Sequence, residues 1–268
     1  VLELVDLGHN YGSYRAIDRV NLKVAQGEVV CIVGPSGCGK STLLRSIAGL
    51  IKPTGGTVLL DGKPVDGSPE NLAVVFQDYS RSLYPWMSAL ANVGLPLRRR
   101  GLDKKKRDAA AMNALEQVGL AGAAAKFPWE MSGGMQQRVS IARALAYQPK
   151  LLLMDEPFGS VDAQTREELE DLTLRVCAHH GMTILLITHD VDESVYVGDR
   201  VVVLSKAPGT VVGDLPVQLP GPRDQIHTRE LDAFVRLRAE VGRLVRGITP
   251  QRNTHGNTHG YGYGVETR

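Results

Sequence analysis

The nine residues "GPSGCGKST", Gly34 to Thr42, leave this chain few choices of fold. They match a glycine-rich phosphate loop in full, and such a loop works only between a buried strand and the helix it opens. The sequence supplies both, with "VVCIV" before the loop and the helical pattern "KSTLLRSIAG" inside and after it. Glycines at 34, 37 and 39 permit turns that aim successive backbone N–H groups at one anion. Gly34, Pro35, Ser36, Gly37, Cys38, Gly39, Lys40, Ser41 and Thr42 are therefore expected to cradle the phosphates of a nucleotide. Lys40 would reach the β and γ oxygens, and Ser41 would ligate Mg²⁺. Cys38 has two readings. It fills a permissive loop position, or it is a helix-terminal thiol of lowered pKa that alkylates readily.

Two more apolar runs, "LLLM" before Asp155 and "ILLIT" before His189, also read as buried parallel strands, and "VVVL" (201–204) adds a fourth. Open α/β sheets bind ligands beyond the carboxyl ends of their strands, and each of the first three runs ends there at a candidate residue. Asp155 fits the role of holding Mg²⁺ through its water shell, and Glu156 could polarise the water that attacks a γ-phosphate. A carboxylate pair after an apolar run says little alone; behind a phosphate loop it completes a hydrolytic set. His189 is placed to sense the γ-phosphate, although a lone histidine is more often structural. "VNLKV" alternates like a half-exposed strand, and "TVLLDGKPV" carries an Asp-Gly turn, so a small antiparallel layer is expected beside the parallel one.

From Ser82 to Gln148 the pattern is helical. "DKKKRDAAAMNALEQV" has Asp103 as N-cap, an apolar stripe at Ala109, Met112, Leu115 and Val118, and Gly119 past its end. The same insert carries "MSGGMQQR", where Ser132 caps a helix striped by Met135, Val139, Ala142, Leu145 and Ala146. Its first amides lie in glycines and attract anions, so the chain holds a second phosphate-binding helix start. The basic run "RRRGLDKKKR" is read as a solvated helix face rather than a nucleic-acid or membrane patch.

With 268 residues, 43% of them hydrophobic, the chain can bury a sizeable core, and a net charge of +2 gives no field for nucleic acid. Three scattered cysteines make neither a disulfide framework nor a zinc site and suit a reducing compartment. No apolar run approaches the roughly 18 to 20 residues that cross a bilayer. The start, "VLELVDLGHN", lacks signal-peptide character, and the absence of an initial Met suggests missing residues. After Gly247 the Gly-rich, aperiodic sequence reads as a disordered tail. His255 and His259 within it have metal-ligand spacing, but a solvated tail is the plainer reading.

The order GPSGCGKST, Gln77 in "VVFQD", MSGGMQQR, LLLMDEP, "SVD" (160–162) and His189 resembles the ATP-binding subunits of ABC transporters. The resemblance spans roughly residues 1 to 245, and SGG-Q between the phosphate loop and the acidic strand end separates this family from other P-loop proteins. It implies an α/β fold: a P-loop (RecA-like) core, an antiparallel β subdomain and an inserted α-helical subdomain. The segments would be 1–81 and 149–247 for the ATP-binding core, 82–148 for the helical subdomain, and 248–268 for the tail. It implies ATP and Mg²⁺ as cofactors and a head-to-tail dimer with a second copy, in which Ser132, Gly133, Gly134 and Gln136 of one subunit close over the γ-phosphate held by the other. Tyr11 would stack on adenine, with Tyr14 as the rival. Gln77 would contact Mg²⁺ and the attacking water, Asp162 would link the subunits, and Glu156 and His189 would serve hydrolysis. Met131 for the usual Leu, and Ser160-Val161-Asp162 for the usual Ala-Leu-Asp, are mild departures.

A single cassette without a membrane span implies an ATPase subunit serving separate permeases at the cytoplasmic membrane face, and indirectly a periplasmic or lipid-anchored substrate-binding protein. "FQDYSRSLYPWMSALANVGLPL" and "APGTVVGDLPVQLPGPRDQ" resemble importers of nitrate, sulfonates and taurine. Tyr84 and Trp86 would line a groove for a short permease helix, or else pack inside the insert. The competing readings are an exporter ATPase and a soluble ABC ATPase of DNA repair, chromosome structure or translation; the chain shows none of the tandem cassettes, heptad arrays or zinc spacing of the latter.

Overall fold

The computed structural model describes residues 1–78 and 82–247. Its first 24 residues form two long antiparallel strands, β1 (Leu2–Tyr11) and β2 (Tyr14–Val24), which bury Leu2, Leu4, Leu7, Ile17, Val20, Leu22 and Val24 in one core. After β3 (Val29–Val33), the short strands β4 (Gly55–Leu60) and β5 (Lys63–Pro64) complete this layer in the order β2-β1-β4-β5. The β4–β5 turn is Asp61-Gly62, both at positive φ (52° and 75°), the conformation an Asp-Gly hairpin turn demands.

β6 (Leu72–Val75), β7 (Leu151–Asp155), β8 (Thr183–Ile187) and β9 (Arg200–Leu204) join β3 in a parallel sheet, and β10 (Val211–Pro216) adds an antiparallel edge. The order is β10-β9-β3-β8-β7-β6. Both faces of this sheet are covered. Alternate residues of each strand therefore enter different cores: Leu151 and Leu153 of β7 meet the antiparallel layer and α1 (Lys40–Ile47), while Leu152 and Met154 meet the helical side. Continuous apolar runs were the visible trace of that double burial.

Residues 82–148 contain the helices α2 (Ala89–Gly94), α3 (Lys104–Gln117) and α4 (Gly133–Tyr147). Asp103 caps α3 by accepting the Lys106 N–H at 2.8 Å. The buried face of α3 differs from the expected stripe. It consists of Ala111, Ala114 and Leu115, with Val118 just beyond, whereas Ala109 is exposed and Met112 only half-buried. Small residues set that face by allowing close packing: a Cβ on Gly94 of α2 would lie 3.7 Å from that of Ala111.

The C-terminal part adds α5 (Ala163–His180), α6 (Val191–Val197), α7 (His227–Glu230) and α8 (Asp232–Val245), with α8 packed on α6, β9 and β10. Arg223 of the Pro-Arg-Asp segment donates to the carbonyls of Tyr196 (2.7 Å) and Gly198 (2.8 Å), which fastens this extension to the end of α6. No helix among the described residues is long and apolar enough to cross a membrane. The tail 248–268, with His255 and His259, lies outside the described residues.

Candidate functional site

Strand order places the candidate residues in a row. β8 lies between β3 and β7, so the phosphate loop after β3, His189 after β8, Glu156 after β7 and Gln77 after β6 share the carboxyl edge of one sheet. The loop leaves no room for a side chain at Gly34 or Gly39. A Cβ on Gly39, at φ 98°, would stand 2.6 Å from the Ala16 carbonyl oxygen, and one on Gly34 would stand 3.0 Å from that of Leu204. Lys40 Nζ is buried and donates to the carbonyls of Gly34 (2.7 Å) and Pro35 (3.1 Å), which tethers its charge over the loop. Pro35 and Thr42 are half-buried, while Ser36, Gly37 and Ser41 face outward. Of its two readings, Cys38 fits the loop-filling one and not the reactive thiol. It is 1% exposed, and burial pushes its pKa up despite the nearby Lys40 charge.

Glu156 is the hub of the row. Its Oε2 accepts from Gln77 Nε2 at 3.0 Å and lies 3.1 Å from His189 Nδ1. The backbone of Glu156 adopts φ 44°, an uncommon conformation for a residue with a Cβ, and its N–H is anchored on the Ile187 carbonyl at 2.8 Å. Beside it, Asp155 is held above the usual carboxylate range by burial and then by the negative charge of Glu156. Tyr11 and Tyr14 pair across the β1–β2 turn, both about half exposed. Both reach the loop: the Tyr11 hydroxyl lies 3.4 Å from Thr42 Oγ1, and the Tyr14 hydroxyl donates to the Gly37 carbonyl at 3.3 Å.

The second helix start is built differently. Ser132 Oγ accepts the Met135 N–H at 3.3 Å, while the first-turn amides of Gly133 and Gly134 have no carbonyl to reach within α4. Gly134 must lack a side chain, because its Cβ would lie 2.5 Å from Thr165 Cγ2. Thr165 is fixed by Asp162, whose carboxylate accepts its N–H (3.0 Å) and hydroxyl (2.7 Å); those bonds hold the Asp162 pKa low. Gln136 Nε2 donates to Pro128 (2.9 Å) and Met131 (3.2 Å) carbonyls. The hydrogen bonds of Ser132 and Gln136 thus stay within residues 128–136, apart from the phosphate loop.

Two residues of α4 carry connections that the motifs did not announce. Gln137 is fully buried and donates to the Pro157 carbonyl at 2.6 Å, joining the SGG helix to the turn after Glu156. Arg143 donates to the Ser82 carbonyl (2.6 Å) and hydroxyl (3.0 Å), and burial lowers its pKa. The available signal was a polar residue interrupting the apolar face of an otherwise well-patterned helix.

A phosphate loop, its helix and a carboxylate pair at another strand end of the same sheet define a P-loop nucleotide hydrolase. The sequence profile of the ABC transporter family matches residues 17–159. The nitrate import ATP-binding protein NrtD of Synechocystis sp. is 43% identical over 255 residues, covering 92% of this chain and 95% of its own. The bicarbonate transport ATP-binding protein CmpC of Synechococcus elongatus is 43% identical over 231 residues, covering 85% of this chain and 34% of its own. The dimeric structure of MJ0796, a bacterial ABC transporter cassette, matches with TM-score 0.72 at 33% identity, covering 81% of this chain and 99% of its own. A post-hydrolysis dimer of the same cassette, bound to ADP and Pi, matches with TM-score 0.71. The chain belongs to the ABC transporter family as an ATP-binding subunit, and it is an ATPase.

Proposed function

We propose that this chain energises an ABC importer of nitrate-, sulfonate- or taurine-like anions through a head-to-tail dimer with two shared ATP sites. One observation carries the dimer: the chain has two glycine-rich helix starts whose amides suit phosphate, and the hydrogen bonds around them stay in separate networks. A second copy turned head to tail would bring Ser132, Gly133 and Gly134 of one subunit over the phosphates held by the other. The likeness to a dimeric cassette supports this arrangement. The likeness to a nitrate import subunit over 95% of its length supports the cargo class. The partners would be permease subunits at the cytoplasmic membrane face, with an external substrate-binding protein acting through them.

Each residue then has a task. The loop amides and Lys40 bind the β- and γ-phosphates of ATP, and Tyr11, with Tyr14 as its rival, stacks on the base. Ser41, Gln77 and Asp155 form an all-oxygen donor set, the chemistry that suits Mg²⁺. When bound there, the ion neutralises charge on the phosphate oxygens. Gln77 and His189 both contact Oε2 of Glu156, which leaves Oε1 free to orient the attacking water and accept its proton. Asp162, through Thr165, fixes the helix that packs under Gly134, and so joins the strand-end chemistry to the surface offered to the partner.

Mixing two broken subunits tests the shared site. Lys40→Ala damages the loop half and Ser132→Arg the SGG half, so each variant alone forms dimers with two damaged sites. Their heterodimer has one intact site and one doubly damaged site. ATPase activity of the mixture well above that of either variant is expected; a mixture no more active than the separate proteins would reject the composite site.

A further inference from the structure

We infer that Phe127 and Trp129, in front of the SGG helix, form a second aromatic wall that closes on the base of the nucleotide held by the partner copy. This rests on the head-to-tail reading above. Trp129 is 66% exposed, yet its ring stacks on Phe127, at 4.7 Å between centroids and 10° between planes. The turn that carries it, Pro128–Glu130, is pinned at several points. The Phe127 N–H donates to Glu130 Oε2 at 2.7 Å, the Met131 N–H to the Pro128 carbonyl at 3.2 Å, and Gln136 Nε2 to the same carbonyl at 2.9 Å. The indole is therefore braced on one face by Phe127 while its other face stays open. A large aromatic ring stacked on one face and open to solvent on the other serves a stacking partner better than it serves this subunit's own core.

Position identifies the partner. Trp129 stands three residues before Ser132, and three residues span at most about 10 Å. A nucleoside triphosphate with its terminal phosphate on the Gly133 and Gly134 amides carries its base about that far away. In the partner, the same base emerges beside Tyr11 and Tyr14, which flank the loop with exposed faces. The purine would then lie between a tyrosine of one subunit and Trp129 of the other. Closure would depend on the base as well as on the phosphates. A role against the permease would leave nucleotide binding indifferent to Trp129.

The chain has only two tryptophans, Trp86 and Trp129, so Trp86→Phe leaves Trp129 as the sole indole emitter. In the full chain carrying Glu156→Gln and Trp86→Phe, Mg-ATP is titrated while dimer mass and tryptophan emission are recorded together. The inference expects emission to change in step with dimerisation. In the Glu156→Gln chain with native Trp86, Trp129→Ala should raise the ATP concentration for half-dimerisation by about tenfold, within the range of aromatic–base stacking, while Trp129→Phe stays near the parent. Inorganic tripolyphosphate should dimerise the parent poorly. Dimerisation with unchanged emission and an unchanged ATP requirement in Trp129→Ala overturns the wall and spares the dimer, as does equal action of tripolyphosphate. No ATP-dependent dimer at all overturns the head-to-tail reading itself. If Trp129→Ala fails to fold, the emission and tripolyphosphate results decide.

Discussion

Glu156 combines strain, partial burial and two polar contacts on a single carboxylate oxygen. A non-glycine residue is kept at positive φ only when its surroundings hold it there, and here the Ile187 carbonyl does so from the neighbouring strand. The result aims a carboxylate between Gln77 and His189. Replacing it by glutamine preserves the shape and removes the carboxylate proposed to accept the water's proton, so Glu156→Gln is expected to retain ATP binding and lower turnover by roughly two or more powers of ten. Single-turnover hydrolysis beside an ATP-binding titration measures both, and activity within a few-fold of the parent would remove Glu156 from its assigned role. At this scale the sequence was most informative where a residue ends a buried strand, as Asp155, Glu156 and His189 do. It was least informative where burial decides. Cys38 sits at a helix start that should sharpen a thiol, and desolvation reverses that. Gln137 and Arg143 find their partners in backbone carbonyls of distant segments, which no local spacing reveals.

Short helices need fixed ends, and α6 is held by the Asp190 carboxylate, which accepts the N–H groups of Asp192 (2.8 Å) and Glu193 (3.2 Å). Glu193 lies 4% exposed, with Oε1 buried and unpartnered. Its pKa is pushed up to about 8, by burial first and then by Glu170 of α5, with Asp190 raising it further; Thr188 and Arg166 oppose the shift. Glu170 is itself raised by burial, against the bonds it accepts from Gln225 and Arg229. Because the folded chain binds this proton more tightly than the unfolded one, the stabilising contribution is complete below the ordinary carboxyl pKa of 4.5. It is lost as pH rises toward 8. Glu193→Gln keeps a neutral side chain and removes that loss. Urea unfolding at pH 5, 6.5 and 8 should show the variant gaining on the parent by roughly 1 kcal/mol per pH unit. Parallel curves would place Glu193 in its ionised form throughout. Elements were legible where one period dominated, as in β3, β7 and β8. The face of α3 was not, because alanine is apolar enough to fit several stripes and only packing against α2 selects among them.

Among the described residues, a groove of about 620 Å³ lies between β6 and the helical segment, lined by Leu72, Tyr84, Pro96, Arg98, Arg99 and Tyr147 among others. Its walls are mechanically connected. Arg143 of α4 grips Ser82, which follows Gln77 closely in the chain, and Gln137 of the same helix grips Pro157 beside Glu156. A partner helix seated there would touch both the core and the SGG-bearing insert, so changes at the γ-phosphate could be felt by a permease. The apolar floor with arginines at its rim suits an amphipathic helix carrying an acidic residue. Tyr84 lines this groove, whereas Trp86 stands outside the lining, 69% exposed, with its ring 5.3 Å from that of Tyr84. Trp86 thus neither lines the groove, as was expected of it together with Tyr84, nor packs inside the insert; it stands exposed beside Tyr84. Truncating a buried aromatic would cost about 3 to 5 kcal/mol; an exposed one lacks those contacts to lose. Trp86→Ala is therefore expected to leave the melting temperature and basal ATP hydrolysis of the isolated subunit unchanged, while weakening assembly with the permease and abolishing substrate-stimulated hydrolysis in the reconstituted transporter. A large drop in melting temperature, or full stimulation by transported substrate in the variant complex, would exclude a role for Trp86 in permease docking.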